Sequence, residues 1–333
     1  MRYRALGNSG IEASVVGLGT WVTGGGEWWG PWPEDDESIR AIHAALNAGV
    51  NLIDTAPCYG YGHSEEIVGR AIRDRRDQAV VATKCGLWWH DDRGSAFYER
   101  DGRTVRRCVR PETMRVEIED SLRRLGTDRI DLYQTHWPST EPDKTPICDT
   151  MACLMEMKAA GKIRAIGVSN VSLDELQENL RCGDVVSDQF RYSILSRAAE
   201  ADILPFCQKH ALATLTYMSL EQGLLTGKVG MDRVFSESEF RSDTNWNPWF
   251  KLANRPRILD LLAGWKDLTD RYRCTLAQLV VAWTAAQPGV THVLCGARRA
   301  DQIIETAAAG DIELAPEVSD RMRKDVEALG EPA

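Results

Sequence analysis

The sequence predicts an α/β chain folded as a (β/α)8 TIM barrel, with an N-terminal β-hairpin and extra C-terminal helices. Three observations carry that expectation. Short apolar runs alternate with stretches of helical periodicity eight times, in one unbroken series. No linker, composition shift or low-complexity tract interrupts the series, so residues 1–333 read as a single domain. A chain of 333 residues is also an ordinary length for one barrel with long loops. The competing fold is a doubly wound open sheet. If it bound a dinucleotide it would carry a Gly-x-Gly-x-x-Gly turn after its first strand, and none is present.

Residues 3–15 read as a hairpin turning at Gly7-Asn8-Ser9-Gly10. The first barrel strand, 14–18, closes on Gly19-Thr20-Trp21. A loop with Gly24-Gly25-Gly26, Trp28, Trp29 and Trp32 follows; without a Gly-Lys-Ser/Thr continuation the triple glycine is not a phosphate loop. Asp35 or Asp36 is placed to cap the next helix, whose apolar residues Ile39, Ile42, Ala45 and Leu46 have helical spacing. Strand 50–54 ends on Asp54, and a helix opens near Ser64 with Glu65 and Glu66 in its first turn. Strand 79–84 ends on Lys84, and 86–109 is a polar insertion. Helix 111–125 opens on Pro111 and closes at Gly126. Strand 130–136 ends on His136, helix 146–160 follows, and strand 163–169 leads into Ser169-Asn170. Helix 172–181, strand 184–189 ending on Gln189, helix 199–210 and strand 212–217 ending on Tyr217 come next. A long loop, 218–254, precedes helices over 255–272 and 275–286. The last strand, 291–295, meets Gly296-Ala297-Arg298, and helices 300–309 and 315–328 end the chain.

Composition narrows the function. A hydrophobic fraction of 43% is enough for a large core. The net charge of -9 argues against a general polyanion binder such as a nucleic-acid protein, and leaves room for a local basic pocket. No signal-peptide stretch follows Met1, and no run of ~18 apolar residues occurs. A cytoplasmic protein with no membrane partner is expected. The nine cysteines show no pairing pattern and suit a reducing compartment. Cys58 and Cys85 read as small buried apolar side chains. No cluster has metal-ligand spacing.

In a barrel of this kind the active site lies at the C-terminal strand ends. Asp54, Lys84, His136, Ser169, Asn170, Gln189 and Tyr217 all arrive there. Singly, each has a plain structural reading: Asp54 with Lys84 as an ion pair, His136 as a core histidine, Tyr217 as a half-buried aromatic. Together with Tyr59, five residues past Asp54, they suit one chemistry. Asp54 holds Lys84 charged, Lys84 lowers the pKa of the Tyr59 phenol, and Tyr59 serves as general acid while His136 orients a carbonyl. The hydride must come from a cofactor. Tyr217 can stack on a nicotinamide ring, and Ser169, Asn170 and Gln189 can grip its carboxamide. Arg298 and Arg299, just before a helix start, can hold a phosphate, which favours NADPH over NADH; a solvated charge pair is the plainer alternative.

The chain resembles the aldo-keto reductase family. The resemblance is carried by Asn51-Leu-Ile-Asp-Thr-Ala-Pro-Cys-Tyr59-Gly, Gly62-His-Ser-Glu-Glu66, the stretch from Leu125 through His136-Trp-Pro, Gly161-Lys-Ile-Arg-Ala-Ile-Gly-Val-Ser-Asn170, Gly223-Leu-Leu-Thr-Gly-Lys228 and Gly296-Ala-Arg298. It looks most like the bacterial branch of stress-protein and inositol-operon reductases and NADP-dependent glycerol dehydrogenases or glyceraldehyde reductases. The resemblance implies a catalytic tetrad of Asp54, Tyr59, Lys84 and His136, with Tyr59 the proton donor. It implies NADPH extended across the strand ends, touching Gly19, Thr20, Trp21, Ser169, Asn170, Gln189, Tyr217 and Gly296. By the same resemblance the 219–228 segment wraps the pyrophosphate through Ser219, Leu220, Gln222, Gly223, Leu224, Thr226, Gly227 and Lys228. Arg298 and Gln302 then meet the 2′-phosphate, and Glu305 the adenine. Thr306 departs from the family's usual asparagine.

Nine of the eleven tryptophans fall in segments after strands, where aromatic residues bind or pack over something. Trp21, Trp88, Trp89 and Trp137 are the candidate substrate walls, and Trp246 and Trp249 a candidate lid. The partner expected is a small carbonyl or alcohol, such as glyceraldehyde or glycerol. Two other readings stand beside this one: a Schiff-base lyase using Lys84, and a cofactor-sensing regulatory subunit with little turnover.

Overall fold

A computed structural model describes residues 1–25, 28–29, 34–237 and 239–333. Eight parallel strands close into a barrel: Val16–Gly19, Leu52–Asp54, Val80–Cys85, Ile130–Thr135, Ile163–Ser169, Val185–Arg191, Ala213–Tyr217 and His292–Gly296. Each pairs with the next in sequence, and the last pairs with the first. Parallel neighbours need crossovers, which the helices supply. Asp35–Asn47, His63–Ile72, Pro111–Leu125, Ile147–Ala159, Leu173–Cys182 and Ile203–Lys209 follow the first six gaps between strands. Arg255–Ala263, Lys266–Tyr272 and Leu276–Ala285 fill the seventh, and Ala300–Ala307 and Pro316–Leu329 complete the ring.

The barrel is filled from below. Strand side chains alternate between the helices and the barrel axis. Leu52, Val80, Ala82, Leu132, Ala165, Val186, Ala213, Leu215 and Leu294 form a buried inner layer with Leu6 and Ile11. Those last two flank the turn of the antiparallel hairpin Tyr3–Ala5 and Glu12–Ser14. The hairpin thus plugs the N-terminal mouth. Its turn approaches so closely that a Cβ on Gly7, at φ +57°, would lie 2.3 Å from the Val186 carbonyl oxygen. Only the opposite end is left to hold a site.

Four expectations are corrected. The insertion at 86–109 is a three-stranded antiparallel sheet, Leu87–Trp88, Ser95–Arg100 and Arg103–Arg107. In sequence it reads only as a polar insertion, yet its arginines lie on rings: Arg107 over Phe97 at 4.0 Å and Trp137 at 4.6 Å, Arg100 over Trp28 at 4.3 Å. A guanidinium plane packs as well as an apolar group there. The helix expected over 255–272 is two helices, broken at Gly264 and Trp265, whose buried indole donates to Asp325. Asp35 and Asp36 do not cap their helix; they sit in its first turn, behind Glu34, where they complement its dipole. Finally, Cys148 and Cys182 are joined as a disulfide with Cα atoms 5.0 Å apart, and seven cysteines are free. They are 34 residues apart in sequence, and only the packing of two adjacent helices brings them together. No helix among the described residues is long and apolar enough to cross a membrane.

Candidate active site

The inward positions turn polar one step above the apolar layer. Two residues past Leu52, Ala82, Leu132 and Leu215 stand Asp54, Lys84, Gln134 and Tyr217. Strand register places Gly19 opposite Asp54 and Lys84 opposite Gln134. Lys84 is fully buried, and its Nζ donates to Asp54 Oδ1 (2.6 Å), Thr55 O (2.9 Å) and Tyr59 Oη (3.5 Å). The other oxygen of Asp54 accepts from Gln189 Nε2 (2.9 Å) and Gln134 Nε2 (3.2 Å). A buried ion pair needs such extra bonds to offset the loss of water.

Tyr59 comes from the loop after the second strand. The turn Trp21–Gly24 presses against it, and a Cβ on Gly24 would lie 2.6 Å from the Tyr59 carbonyl carbon. The Tyr59 ring lies 5.9 Å from the His136 ring, edge to face. Its phenol is held well above the ordinary tyrosine value, by burial first and then by the Asp54 charge. This reverses the direction expected from Lys84 alone: Asp54 masks the ammonium, and desolvation wins. Tyr59 therefore stays a protonated donor. His136 is pushed well below the usual histidine value by burial and then by Lys84, so its imidazole is neutral. Its Nδ1 lies 3.6 Å from Cys58 Sγ.

A second group lines up beside this one. Tyr217 Oη donates to Asn170 Oδ1 (2.7 Å), and Asn170 Nδ2 donates to the His136 carbonyl and to Ser169 Oγ (both 3.0 Å). Asn170 takes a positive φ of 58°, a conformation asparagine tolerates better than most residues. Ser169 is buried, and its hydroxyl donates to the Gln189 carbonyl (2.8 Å).

These groups open onto a cavity of about 660 Å³ that runs across the strand ends. Asp54, Tyr59, His136, Asn170, Gln189 and Tyr217 line it, with Lys84 directly behind. Gly19, Thr20, Trp21, Ser219, Leu220, Gln222, Gly223, Thr226, Lys228, Gly296, Arg298, Gln302, Glu305 and Thr306 are also on its wall. Ser169, Leu224 and Gly227 are not; Leu224 is packed in the core, 1% exposed. Trp21 and Trp137 are on the wall, whereas Trp88 and Trp89 are corrected to positions away from it. Trp88 is buried with its indole on Asp91 (2.8 Å), and Trp89 packs on Tyr61 and His90. Trp246 is on the wall against Phe240, but Trp249 is buried beside Arg257. Trp32 and Gly26 lie outside the described residues.

Several wall residues were not singled out from the sequence: Trp28, Trp29, Phe97, Tyr98, Phe240, Arg233 and Arg241. Phe97 and Tyr98 sit on the antiparallel insertion, and Phe240 packs on Trp21 (5.3 Å) and Trp28 (5.4 Å) while its backbone N–H bonds Trp28 O. The long loop thus closes over the first one. The aromatic pair Phe97-Tyr98, followed by Arg100, Arg103, Arg106 and Arg107 around the turn Asp101-Gly102, was the available signal.

The far end of the cavity fits an anionic, dinucleotide-sized guest. Arg298 is half-buried, and its Nη2 has no hydrogen-bond partner among the described residues. Burial, and then Arg241, push its guanidinium below the usual arginine value, so an anion there would relieve both. Both side-chain polar atoms of Gln222 are also buried without partners among the described residues. Glu221, Gln222 and Gly223 all take positive φ (44°, 55° and 95°), and the fully buried Glu221 is clamped by Arg191 and Asn247. Strained turns of this kind persist where the surroundings hold them, and they favour anions. Lys228 instead pairs with Glu305 (2.9 Å), Arg299 with Asp301, and Gln302 Oε1 accepts from the backbone of Arg298 (2.8 Å) and Arg299 (3.3 Å). Among the described residues no cluster could hold a metal ion.

Residues 15–327 match the family model described as the Aldo/keto reductase family. A relative from Escherichia coli (strain K12), the NADH-specific methylglyoxal reductase, is 41% identical over 99% of both chains. The solved structure of the glycerol dehydrogenase AKR11B4 from Gluconobacter oxydans is 37% identical, with a TM-score of 0.85 over 99% of this chain and 96% of that one. An aldo/keto reductase from Klebsiella pneumoniae, solved in complex with NADP and acetate, is 27% identical, with a TM-score of 0.73 over 97% of this chain and 95% of that one.

Proposed function

The chain belongs to the aldo/keto reductase family and is an oxidoreductase; from that premise we propose that it interconverts small aldehydes or ketones and their alcohols with NADPH, using Tyr59 as proton donor. The observation that carries the reading is the buried Tyr59 phenol, backed by Lys84 and facing His136 across one cavity. As a carbonyl oxygen gains charge, Tyr59 gives it a proton. Lys84, 3.5 Å away, stabilises the phenolate left behind, and Asp54 keeps Lys84 in place. The neutral His136 orients the same oxygen.

A nicotinamide dinucleotide, when bound, supplies the hydride. Arg298, Gln222, Gly223, Asn170 and Tyr217 are the residues that would hold it. The Nη2 of Arg298, without a partner among the described residues, favours a phosphorylated ribose and hence NADPH, with Arg233 and Arg241 on the same wall. The relative named NADH-specific supports the other choice, and the ratio of KM values for the two cofactors decides between them.

Small hydroxyaldehydes and polyols, such as glyceraldehyde and glycerol, are the proposed substrates, supported by the names of the methylglyoxal-reductase and glycerol-dehydrogenase relatives. A cytoplasmic setting, where NADPH is supplied, accompanies the proposal. The test is a panel following NADPH oxidation with small aldehydes and ketones and NADP reduction with polyols. Tight NADPH binding without turnover would favour a regulatory subunit. Borohydride trapping of substrate on Lys84 would favour a lyase, but all three Lys84 donors are already committed.

A further inference from the structure

One side chain on the reaction wall has no part in the scheme above. Cys58 precedes Tyr59 and lines the cavity. Its sulfur lies 3.6 Å from His136 Nδ1, within hydrogen-bond reach for sulfur. The Tyr98 side chain, delivered by the antiparallel insertion, lines the same cavity. A neutral imidazole carries its one proton on either ring nitrogen, and the partner of the first nitrogen sets the state of the second. The only hydrogen bond to the His136 ring among the described residues is the one at Nδ1, which leaves Nε2 for a ligand. Nε2 can donate to a carbonyl oxygen only if Nδ1 is the acceptor.

We propose that Cys58 is a positioning residue: its thiol donates to His136 Nδ1 and holds the imidazole in the tautomer whose Nε2–H meets the substrate oxygen. The hydrogen bonds run in one direction, from the thiol to Nδ1 and from Nε2–H to the carbonyl. Burial raises the thiol to about 12, so it remains S–H across the neutral range and keeps a proton to give. The inference rests on the carbonyl-reductase reading of the site.

The experiment compares wild type with Cys58→Ala and Cys58→Ser. NADPH affinity, measured by fluorescence, reports that each variant is folded. In the nitrogen NMR spectrum of the cofactor-free protein, wild-type His136 should show a protonated Nε2 and an unprotonated Nδ1. Cys58→Ala should move both signals toward the average of the two tautomers, and Cys58→Ser should restore the wild-type pattern. With a reducible aldehyde, Cys58→Ala should lose kcat by about 5- to 10-fold, the worth of one hydrogen bond, with KM for NADPH unchanged and most of the loss recovered in Cys58→Ser. Identical nitrogen signals in wild type and Cys58→Ala, or a serine variant no better than alanine, would overturn the proposal. If wild type reduces no carbonyl, the functional reading fails, while the nitrogen signals still decide whether Cys58 sets the tautomer.

Discussion

Lys84 Nζ and Asp54 Oδ1 are 2.6 Å apart, with both side chains sealed from solvent at the top of the barrel core. The pair stands at the boundary between an apolar interior and a reactive cavity, so it serves stability and chemistry together. Lys84→Met would leave the Asp54 carboxylate buried with only two amide donors. Breaking one side of such a pair costs about 3–5 kcal/mol. A lower midpoint of thermal unfolding and a large loss of kcat should appear together; loss of activity at unchanged stability would mean that the pair is not coupled to the fold.

Tyr59→Phe keeps the ring and removes the proton. Carbonyl reduction should fall about 10²–10⁴-fold, the usual worth of a positioned acid, while NADPH binding stays near wild type. Steady-state kinetics and a fluorescence titration check both halves. Wild-type turnover would refute the role of Tyr59.

Arg298→Ala should weaken NADPH by about 10- to 100-fold, the range for a charge-assisted hydrogen bond, and NADH by much less. Titrating both cofactors against wild type and variant gives the answer. Equal losses would show that Arg298 does not read the phosphate.

His292 predicts a pH dependence of stability. Burial, as the main cause, lowers its pKa from 6.5 to about 4, while its Nδ1 donates to the Ser14 carbonyl (3.0 Å). The unfolded chain therefore binds a proton first as the pH falls. The contribution of His292 is constant above pH 6.5, declines between 6.5 and about 4, and levels off below, for a loss of about 3 kcal/mol. Denaturant unfolding across this range, compared with His292→Asn, cancels the carboxylates common to both proteins. A difference that does not change with pH would contradict the assignment.

How far the site could be read from the chain follows from its geometry. Asp54, Lys84 and Tyr217 are legible because each ends a short apolar run that reads as a barrel strand, and the inward position just past the apolar layer must hold whatever the site uses. Gln134 obeys the same rule but sat inside a strand whose end was marked by His136, so its bond to Asp54 was missed. Trp88 and Trp89 were misplaced because the insertion that carries them was read as a loop. A strand pairing fixes which side chains face inward, and Phe97 and Tyr98 face the cavity instead.

The sequence by itself determined the eight alternating units, the N-terminal hairpin and the identity of the polar groups at the C-terminal strand ends, because those depend on local periodicity and on chain order. Only the tertiary structure decided their electrical state. The Tyr59 phenol is raised rather than lowered, and the His136 imidazole is neutral, because desolvation and the distances among Asp54, Lys84 and Tyr59 are properties of the folded interior. The same holds for Cys58 against His136 and for Cys148 against Cys182, residues 78 and 34 positions apart. No local pattern encodes such meetings; they exist once strands and helices that are distant in the chain are packed side by side.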